Sequence, residues 1–340
     1  MIPFTYNAPG SIDEAVATVD PMGPAGQGGA FLAGGTTMLD LMKLTVVSPP
    51  SLTDIQKLGL DEIVQEGDQV HLGARVTMAQ AAEHPLLRDG APVLSEALWK
   101  AASPQLRNVA TLGGNVLQRT RCPYFRDNVS PCNKREPGSG CAAIGGINRL
   151  LAVLGTSENC IASYAGDFAN ALILFDAVVE TERPDGGRDI AFDALHLLPQ
   201  DHPERETVLE DDELITGFRL TVPEWARRSR YIKVRDRESY AFALTSAAVA
   251  LDMDGDTVRE ARVAVGGAAT VPWRAEAVED FLAGQALTEE VAMEAGRIAF
   301  EGAQGYEHNA FKIPLGQRTV AKALLDVAAI DQTPTGGGSE

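Results

Sequence analysis

Thr111-Leu112-Gly113-Gly114-Asn115 opens the stretch that decides the reading of this chain, which continues to Cys160 through all four cysteines, Cys122, Cys132, Cys141 and Cys160. Between them the chain reads Cys122-Pro-Tyr-Phe-Arg-Asp127 and Pro131-Cys-Asn-Lys-Arg-Glu-Pro-Gly-Ser-Gly-Cys141, rich in Pro, Gly and charge and without helical or alternating period. A loop of this length inside a compact chain is usually functional or disordered. Four thiolates match the ligand number of a cubane iron–sulfur cluster or of a closed zinc site. The intervals of 10, 9 and 19 positions fit neither the paired cysteines of zinc ribbons nor the tight run of bacterial ferredoxins. Structural cysteines are the alternative, since a free Cys packs as a small hydrophobe. Cys132 and Cys141, however, stand among Asn, Lys, Arg, Pro and Gly, poor company for a core, and a disulfide needs an oxidising compartment. The residues therefore favour a four-thiolate site and leave iron–sulfur or zinc open.

A second glycine turn lies upstream. Ala30-Phe31-Leu32-Ala33 reads as a short buried strand, Gly34-Gly35-Thr36-Thr37 follows at once, and Met38 to Leu44 begins a helix. Glycines after a strand let the backbone approach a ligand, and the helix start offers amides with partial positive charge, so a pyrophosphate is the natural guest. An ordinary tight turn is the alternative, because the stretch has neither the G-x-G-x-x-G spacing nor the Gly-Lys-Ser/Thr of a P-loop. Two such turns in one domain, at Gly34-Gly35 and Gly113-Gly114, suit a diphosphate held from two sides.

At 340 residues the chain has room for two or three domains. With 45% hydrophobic and 22% charged residues it can bury sizeable cores. A net charge of −18 argues against nucleic-acid or anionic-membrane binding. The cluster Arg227, Arg228 and Arg230 reads as a solvated loop or strand edge. No apolar run is long enough to span a bilayer, and the N-terminus lacks an export pattern, so the expected location is cytoplasmic. Residues 331–340 are expected to be a disordered tail.

Further elements follow from spacing and caps. A helix is expected over 11–19, with Ser11 as cap and Glu14 completing a capping box, followed by a Pro- and Gly-rich loop. Strand pattern covers 52–74, most clearly Val70 to Ala74. Helices are expected from the Thr77 cap to His84, over 92–102 and over 169–177. Strands follow at 178–181 and 213–222, then a linker at 223–228. Beyond it, 229–234 and 258–265 read as strands and 241–251 is undecided. Helices at 275–282, 289–302 and 319–329 complete an α+β pattern. Trp99, Trp225, Trp273 and Tyr240 read as packing residues. His71, His84, His196, His202 and His308 have no metal-ligand spacing.

Leu32-Ala33-Gly34-Gly35-Thr36 with Met42-Lys43, together with Thr111-Leu112-Gly113-Gly114-Asn115, resembles the two flavin-pyrophosphate loops of the FAD subunit of the xanthine dehydrogenase and aldehyde oxidoreductase family of molybdenum hydroxylases. The similarity runs from Phe4 to about Ala329. The cysteine stretch, with Ser157-Glu-Asn-Cys160-Ile-Ala162, resembles more narrowly the periplasmic-type aldehyde oxidoreductase FAD subunit of bacteria. The resemblance implies an α+β fold: a two-lobed FAD-binding domain of vanillyl-alcohol oxidase (PCMH) type over 1–222, with lobes at about 1–56 and 57–222 and an iron–sulfur loop at 116–160. A C-terminal CO dehydrogenase flavoprotein-like α+β domain over 223–330 follows.

The same resemblance assigns FAD contacts to Phe31, Leu32, Ala33, Gly34, Gly35, Thr36, Thr37 and Met38. A second set comprises Thr111, Gly113, Gly114 and Asn115, with Asp167, Ile215 and Lys233. It assigns a [4Fe-4S] cluster to Cys122, Cys132, Cys141 and Cys160; the nearby cations Arg126, Lys134 and Arg135 read as groups that moderate its charge or, alternatively, as a solvated loop. Asp167 also reads as the cap of a helix starting at Phe168, and Lys233 as a surface lysine at a strand end. The implied function is electron transfer within a molybdenum aldehyde oxidoreductase that converts aldehyde to carboxylic acid. A large partner would carry molybdopterin and a small partner two [2Fe-2S] clusters, with an external electron acceptor. No catalytic residue in this chain would touch the aldehyde. Such complexes can be exported on a partner's signal, which makes a periplasmic location the alternative. The rival readings are the FAD subunit of a 4-hydroxybenzoyl-CoA reductase-like enzyme and a zinc-stapled scaffold without flavin.

Overall fold

The computed structural model describes residues 1–19 and 28–330. The expected tail and most of the Pro- and Gly-rich loop after the first helix lie outside the described residues. Among these, the strands form three sheets in chain order. The first is parallel, with β1 (Thr5–Asn7), β2 (Ala30–Leu32) and β3 (Ser51–Asp54) in the order β1-β3-β2. The second contains β4 (Ile63–Glu66), β5 (Gln69–Gly73), β6 (Val178–Glu182), β7 (Arg188–Ala191) and β8 (Leu214–Thr221). It is antiparallel in the order β4-β5-β8-β6-β7. The third contains β9 (Ser229–Val234), β10 (Thr245–Asp254), β11 (Thr257–Gly266) and β12 (Trp273–Arg274), ordered β12-β11-β10-β9. Helices cover the second and third sheets, giving the expected mixture of helix and strand. No helix among the described residues is long and apolar enough to cross a membrane.

The undecided stretch around 241–251 is a strand with both faces covered. Ala248 and Ala250 of β10 enter the core of the second sheet's domain, whereas Ala247, Val249 and Leu251 enter the C-terminal core. A strand buried on both faces loses the alternation that would have marked it. The expected linker at 223–228 is instead a 3-10 turn, Glu224–Arg227, with Ala226 fully buried. In the first helix, Ile12–Thr18, the Ser11 hydroxyl accepts from the Glu14 amide at 3.2 Å, but the Glu14 carboxylate reaches the Gly10 amide at 2.8 Å, one residue before the box geometry. Helix Met78–Glu83 has the complete box, Thr77 with Gln80. The last helix, Lys312–Ala328, starts seven positions before its expected beginning; Pro314 is tolerated in its first turn, where amides have no intrahelical partner.

Lys312 explains how that helix is docked. Its side chain is fully buried, and Nζ donates to the carbonyls of Leu151 at 2.9 Å and Gly267 at 2.7 Å. Asn309 and Asn148 complete the clamp, through the Ala152 carbonyl at 3.1 Å and the His308 amide at 3.0 Å. The exit of the cysteine segment is thereby fixed to the C-terminal domain. Burial, and secondarily the charge of Arg149, push the Lys312 ammonium down from 10.5 to about 7. Between those values the unfolded chain holds more protons than the folded one, so this group's contribution to stability rises with pH. Urea denaturation of wild type and Lys312→Met should show the difference moving in favour of wild type by about 2 kcal/mol between pH 7 and pH 9. A pH-independent difference would mean that Lys312 does not titrate in this range.

Candidate functional site

The two glycine loops meet at a two-armed cleft. One arm is lined by Phe31, Ala33 and Gly34 to Met38, by Thr111, Gly113 and Gly114, and by Ile215. The other is lined by Asn115, Asp167 and Lys233, with Ala102 and the exposed Tyr240 and Phe242. Thr36, Thr37 and Gly114 belong to both arms and mark their junction. Of the residues assigned to the flavin from sequence, Leu32 is the exception: it packs against Met42 and Leu52.

The loops differ in what they offer. The amides of Gly34, Gly35, Thr36 and Thr37 have no acceptor among the described residues. Gly35 adopts φ +70°, which glycine takes without strain. The second loop is not an open turn but the short helix Leu112–Val116, and its first amides are already used. Leu112 donates to Val76 at 2.9 Å, Gly113 to Ala74 at 2.9 Å, and Gly114 to the Thr111 hydroxyl at 3.2 Å. Gly34 has a structural task too, because a Cβ there would lie 2.0 Å from the Val109 carbonyl. Glycine is what lets the first loop rest on the approach to the second. Asn115 Oδ1 is buried at the cleft with no partner, an acceptor left for a ligand. Free amides at the junction, an arm on each side and an orphaned acceptor fit a dinucleotide such as FAD.

Asp167 and Lys233 form a buried ion pair, Nζ to Oδ2 at 2.7 Å, with side chains 7% and 2% exposed. Asp167 therefore does not cap helix Phe168–Leu172, where no side-chain cap bond forms, and Lys233 is not a surface lysine. Tyr231, unremarked in the sequence, donates its hydroxyl to Asp167 at 2.7 Å. Burial and the charge of Asp167 push that hydroxyl far above its usual range, so it stays a donor. Lys233 Nζ also donates to the Lys100 carbonyl at 3.0 Å. Trp225 and Trp273 pack against the cores, whereas Trp99 and Tyr240 are about half exposed, contrary to their reading as packing residues. His196, which sits edge-on to Tyr164 with ring centroids 4.9 Å apart, is neutral because burial drives it down to about 4.

All four cysteines line one small cavity beside this cleft, and none of them is paired in a disulfide. Cys122, Cys132 and Cys160 are buried, in a satellite core with Phe125, Leu151 and Ile161. Cys132 and Cys141 face each other across an antiparallel bridge. Burial pushes the Cys122 thiol up to about 12 and Cys160 upward, so metal binding must displace protons. Among the described residues no three His, Cys, Asp or Glu are arranged around a single metal ion. Of the three cations expected to moderate a cluster, only Lys134 lines the cavity. Arg135 is spent on the Tyr124 and Phe125 carbonyls, both at 2.8 Å, and Arg126 lines the two-armed cleft.

Comparison with known proteins agrees with this architecture. Residues 2–225 match the FAD binding domain in molybdopterin dehydrogenase, and residues 230–327 the CO dehydrogenase flavoprotein C-terminal domain. The aldehyde oxidoreductase FAD-binding subunit PaoB of Escherichia coli (strain K12) is 44% identical over 328 residues, covering 96% of this chain and 98% of its own. The carbon monoxide dehydrogenase medium chain of Hydrogenophaga pseudoflava is 28% identical over 333 residues, 95% of this chain and 97% of its own. A solved structure of carbon monoxide dehydrogenase from that organism superimposes with a TM-score of 0.74 at 27% identity, over 96% of this chain and 98% of the other.

Gly34→Ala should destabilise the protein by about 1–3 kcal/mol in thermal or urea unfolding, because the added methyl meets backbone that cannot rotate away. It should also lower flavin content. Unchanged stability would mean that the two loops do not pack as described.

Proposed function

The chain belongs to the FAD-binding subunits of the molybdenum hydroxylase family, and on that premise we propose that it is the FAD- and [4Fe-4S]-bearing electron-transfer subunit of a molybdenum-dependent aldehyde oxidoreductase. It is an oxidoreductase flavoprotein subunit. The observation that carries the reading is the cleft junction, where one loop presents free amides and two arms diverge from a single point. In this reading Gly34 to Thr37 hold the diphosphate by their amides. Phe31, Ala33 and Met38, with Thr111, Gly113 and Ile215, line one half of the cofactor; Asn115, Asp167 and Lys233 line the other. Gly114 stands at the branch. Leu32 supports the loop from behind.

Cys122, Cys132, Cys141 and Cys160 would hold a [4Fe-4S] cluster. Four cysteines lining one cavity match the ligand number and softness that a cubane cluster needs, and this supports the reading. When bound, the flavin supplies electron exchange, singly with iron–sulfur centres and in pairs with an external acceptor. The residues of this chain position the cofactors and exclude water; none touches the aldehyde. A large molybdopterin subunit would oxidise aldehyde to carboxylic acid, and a small subunit with two [2Fe-2S] clusters would stand between the two. The same reading divides the chain into an FAD domain at 1–222, with lobes at about 1–56 and 57–222 and the cysteine segment 116–160 within the second, and a C-terminal domain at 223–330.

A UV-visible spectrum of anaerobically purified protein, before and after dithionite, tests both cofactors at once. Flavin bands on a broad iron–sulfur shoulder, both bleaching, are expected, with about four iron and four acid-labile sulfide per chain. Cys132→Ser should lose most of the iron while keeping FAD. Stoichiometric zinc with no chromophore would overturn the reading.

A further inference from the structure

The segment that carries Cys122 also walls the flavin cleft. Arg121 and Arg126 line the arm that contains Asp167 and Lys233, while Cys122, just after Arg121, lines the cysteine cavity. Both guanidiniums reach the same carboxylate oxygen, Asp40 Oδ2, from Arg121 Nη1 at 3.2 Å and from Arg126 Nη2 at 2.8 Å. Asp40 sits in the first turn of helix Met38–Lys43, immediately beyond the free amides of the first loop. Two guanidinium charges on one carboxylate leave a net positive charge at the wall. Two further donors, Arg121 Nε and Arg126 Nη1, are buried with no partner among the described residues. Charged donors are costly to leave unpaired. The other cations of this arm are engaged: Lys233 with Asp167 and the Lys100 carbonyl, Arg237 with the Tyr240 carbonyl. Phe242, lying 5.1 Å from the Arg121 guanidinium, holds it against the wall.

We propose that Arg121 and Arg126 are anion-holding residues of the cleft, which take up negatively charged oxygen of the bound dinucleotide and so tie cofactor binding to the cysteine-bearing segment. The inference rests on the reading of the cleft as an FAD site. The oxygen belongs either to the diphosphate or to the isoalloxazine in its reduced, anionic form. A diphosphate is charged in both redox states, so losing its partner weakens FAD binding and leaves the midpoint potential in place. A charge that appears only on reduction is favoured in one state alone, so losing its partner lowers the potential.

The test uses the full chain as isolated, with Arg126→Leu and Arg126→Lys, and Arg121→Leu should Arg126→Leu fail to fold. FAD affinity is measured by reconstitution, midpoint potential by spectroelectrochemical titration, and iron by chemical assay. A tenfold or greater loss of FAD affinity in the Leu variant at wild-type iron content, largely restored in the Lys variant, is the expected result. With it, an unmoved potential assigns the diphosphate; a lowered potential, with or without the affinity loss, assigns the reduced isoalloxazine. Unchanged affinity and potential would overturn the inference and leave the FAD site standing. Loss of iron together with FAD would also overturn it, marking the pair as packing. Absence of FAD from the wild-type chain would instead remove the reading on which it rests.

Discussion

The buried pair of Asp167 and Lys233 is the constraint around which the cleft is assembled. Two ions removed from water lose more in hydration than their attraction returns unless further hydrogen bonds complete them. Here those bonds come from separate parts of the chain. Tyr231 on β9 serves the carboxylate and itself meets Ser246 on β10 at 2.9 Å; the Lys100 carbonyl, at the end of helix Pro92–Lys100, serves the ammonium. Asp167 stands at the start of helix Phe168–Leu172. The pair is therefore satisfied only when the C-terminal sheet, the helical layer of the second sheet and the return of the cysteine segment are all in register. That requirement fixes the floor of one cleft arm more firmly than apolar packing alone would, since packing tolerates small slips and a buried charge does not.

The cysteine segment could be added to such a frame because it leaves and returns at one place. The Thr120 hydroxyl donates to the Ser163 carbonyl at 2.9 Å, and the Ala152 amide to the Ile161 carbonyl at 2.9 Å, closing the base of the excursion. Long insertions are inexpensive when their ends are held together by the surrounding fold. Inside the excursion the backbone is ordered by one satellite apolar cluster around Phe125, Leu151 and Ile161 and by local polar closure, such as Asn133 and Gly140 bonding each other at 2.8 and 2.7 Å and Arg135 collecting three carbonyls.

What the sequence made legible follows from which residues carry their meaning locally. Gly34-Gly35, Gly113-Gly114 and the four cysteines belong to types whose chemistry survives without context, so the cleft junction and the cysteine cavity could be located from them. Asp167 and Lys233 were ambiguous because a cap or a surface lysine is the local reading, whereas their partnership spans 66 positions. Tyr231 gave no signal, being one apolar-looking position in a strand. Arg126 was misassigned for a geometric reason: its nearness to Cys122 in sequence suggested a role at the cysteines, but the turn Pro123–Arg126 directs it to the other side of the wall. Gly113 and Gly114 looked like a turn because glycine is a poor helix former. Thr111 caps them into a helix nonetheless, with packing on Ala74 supplying what propensity lacks.

That wall also couples the charges of the two sites. Lys134 lines the cysteine cavity and meets Glu206 at 2.9 Å, while the other oxygen of Glu206 meets Arg119, which lines the opposite arm of the cleft. Desolvation alone would raise the Glu206 carboxyl, but Arg119 and Lys134 outweigh it and hold the group at about 2, so it remains a carboxylate at any physiological pH. Glu206 thus cannot absorb a change of charge by taking up a proton. Lys134 is the cation that lines the cysteine cavity, and through Glu206 it is joined to Arg119 in the cleft. One small cavity is lined by Lys134 and Cys160, which also line the cysteine cavity, by Glu206, and by Gln118 and Leu117, which also line the two arms of the cleft.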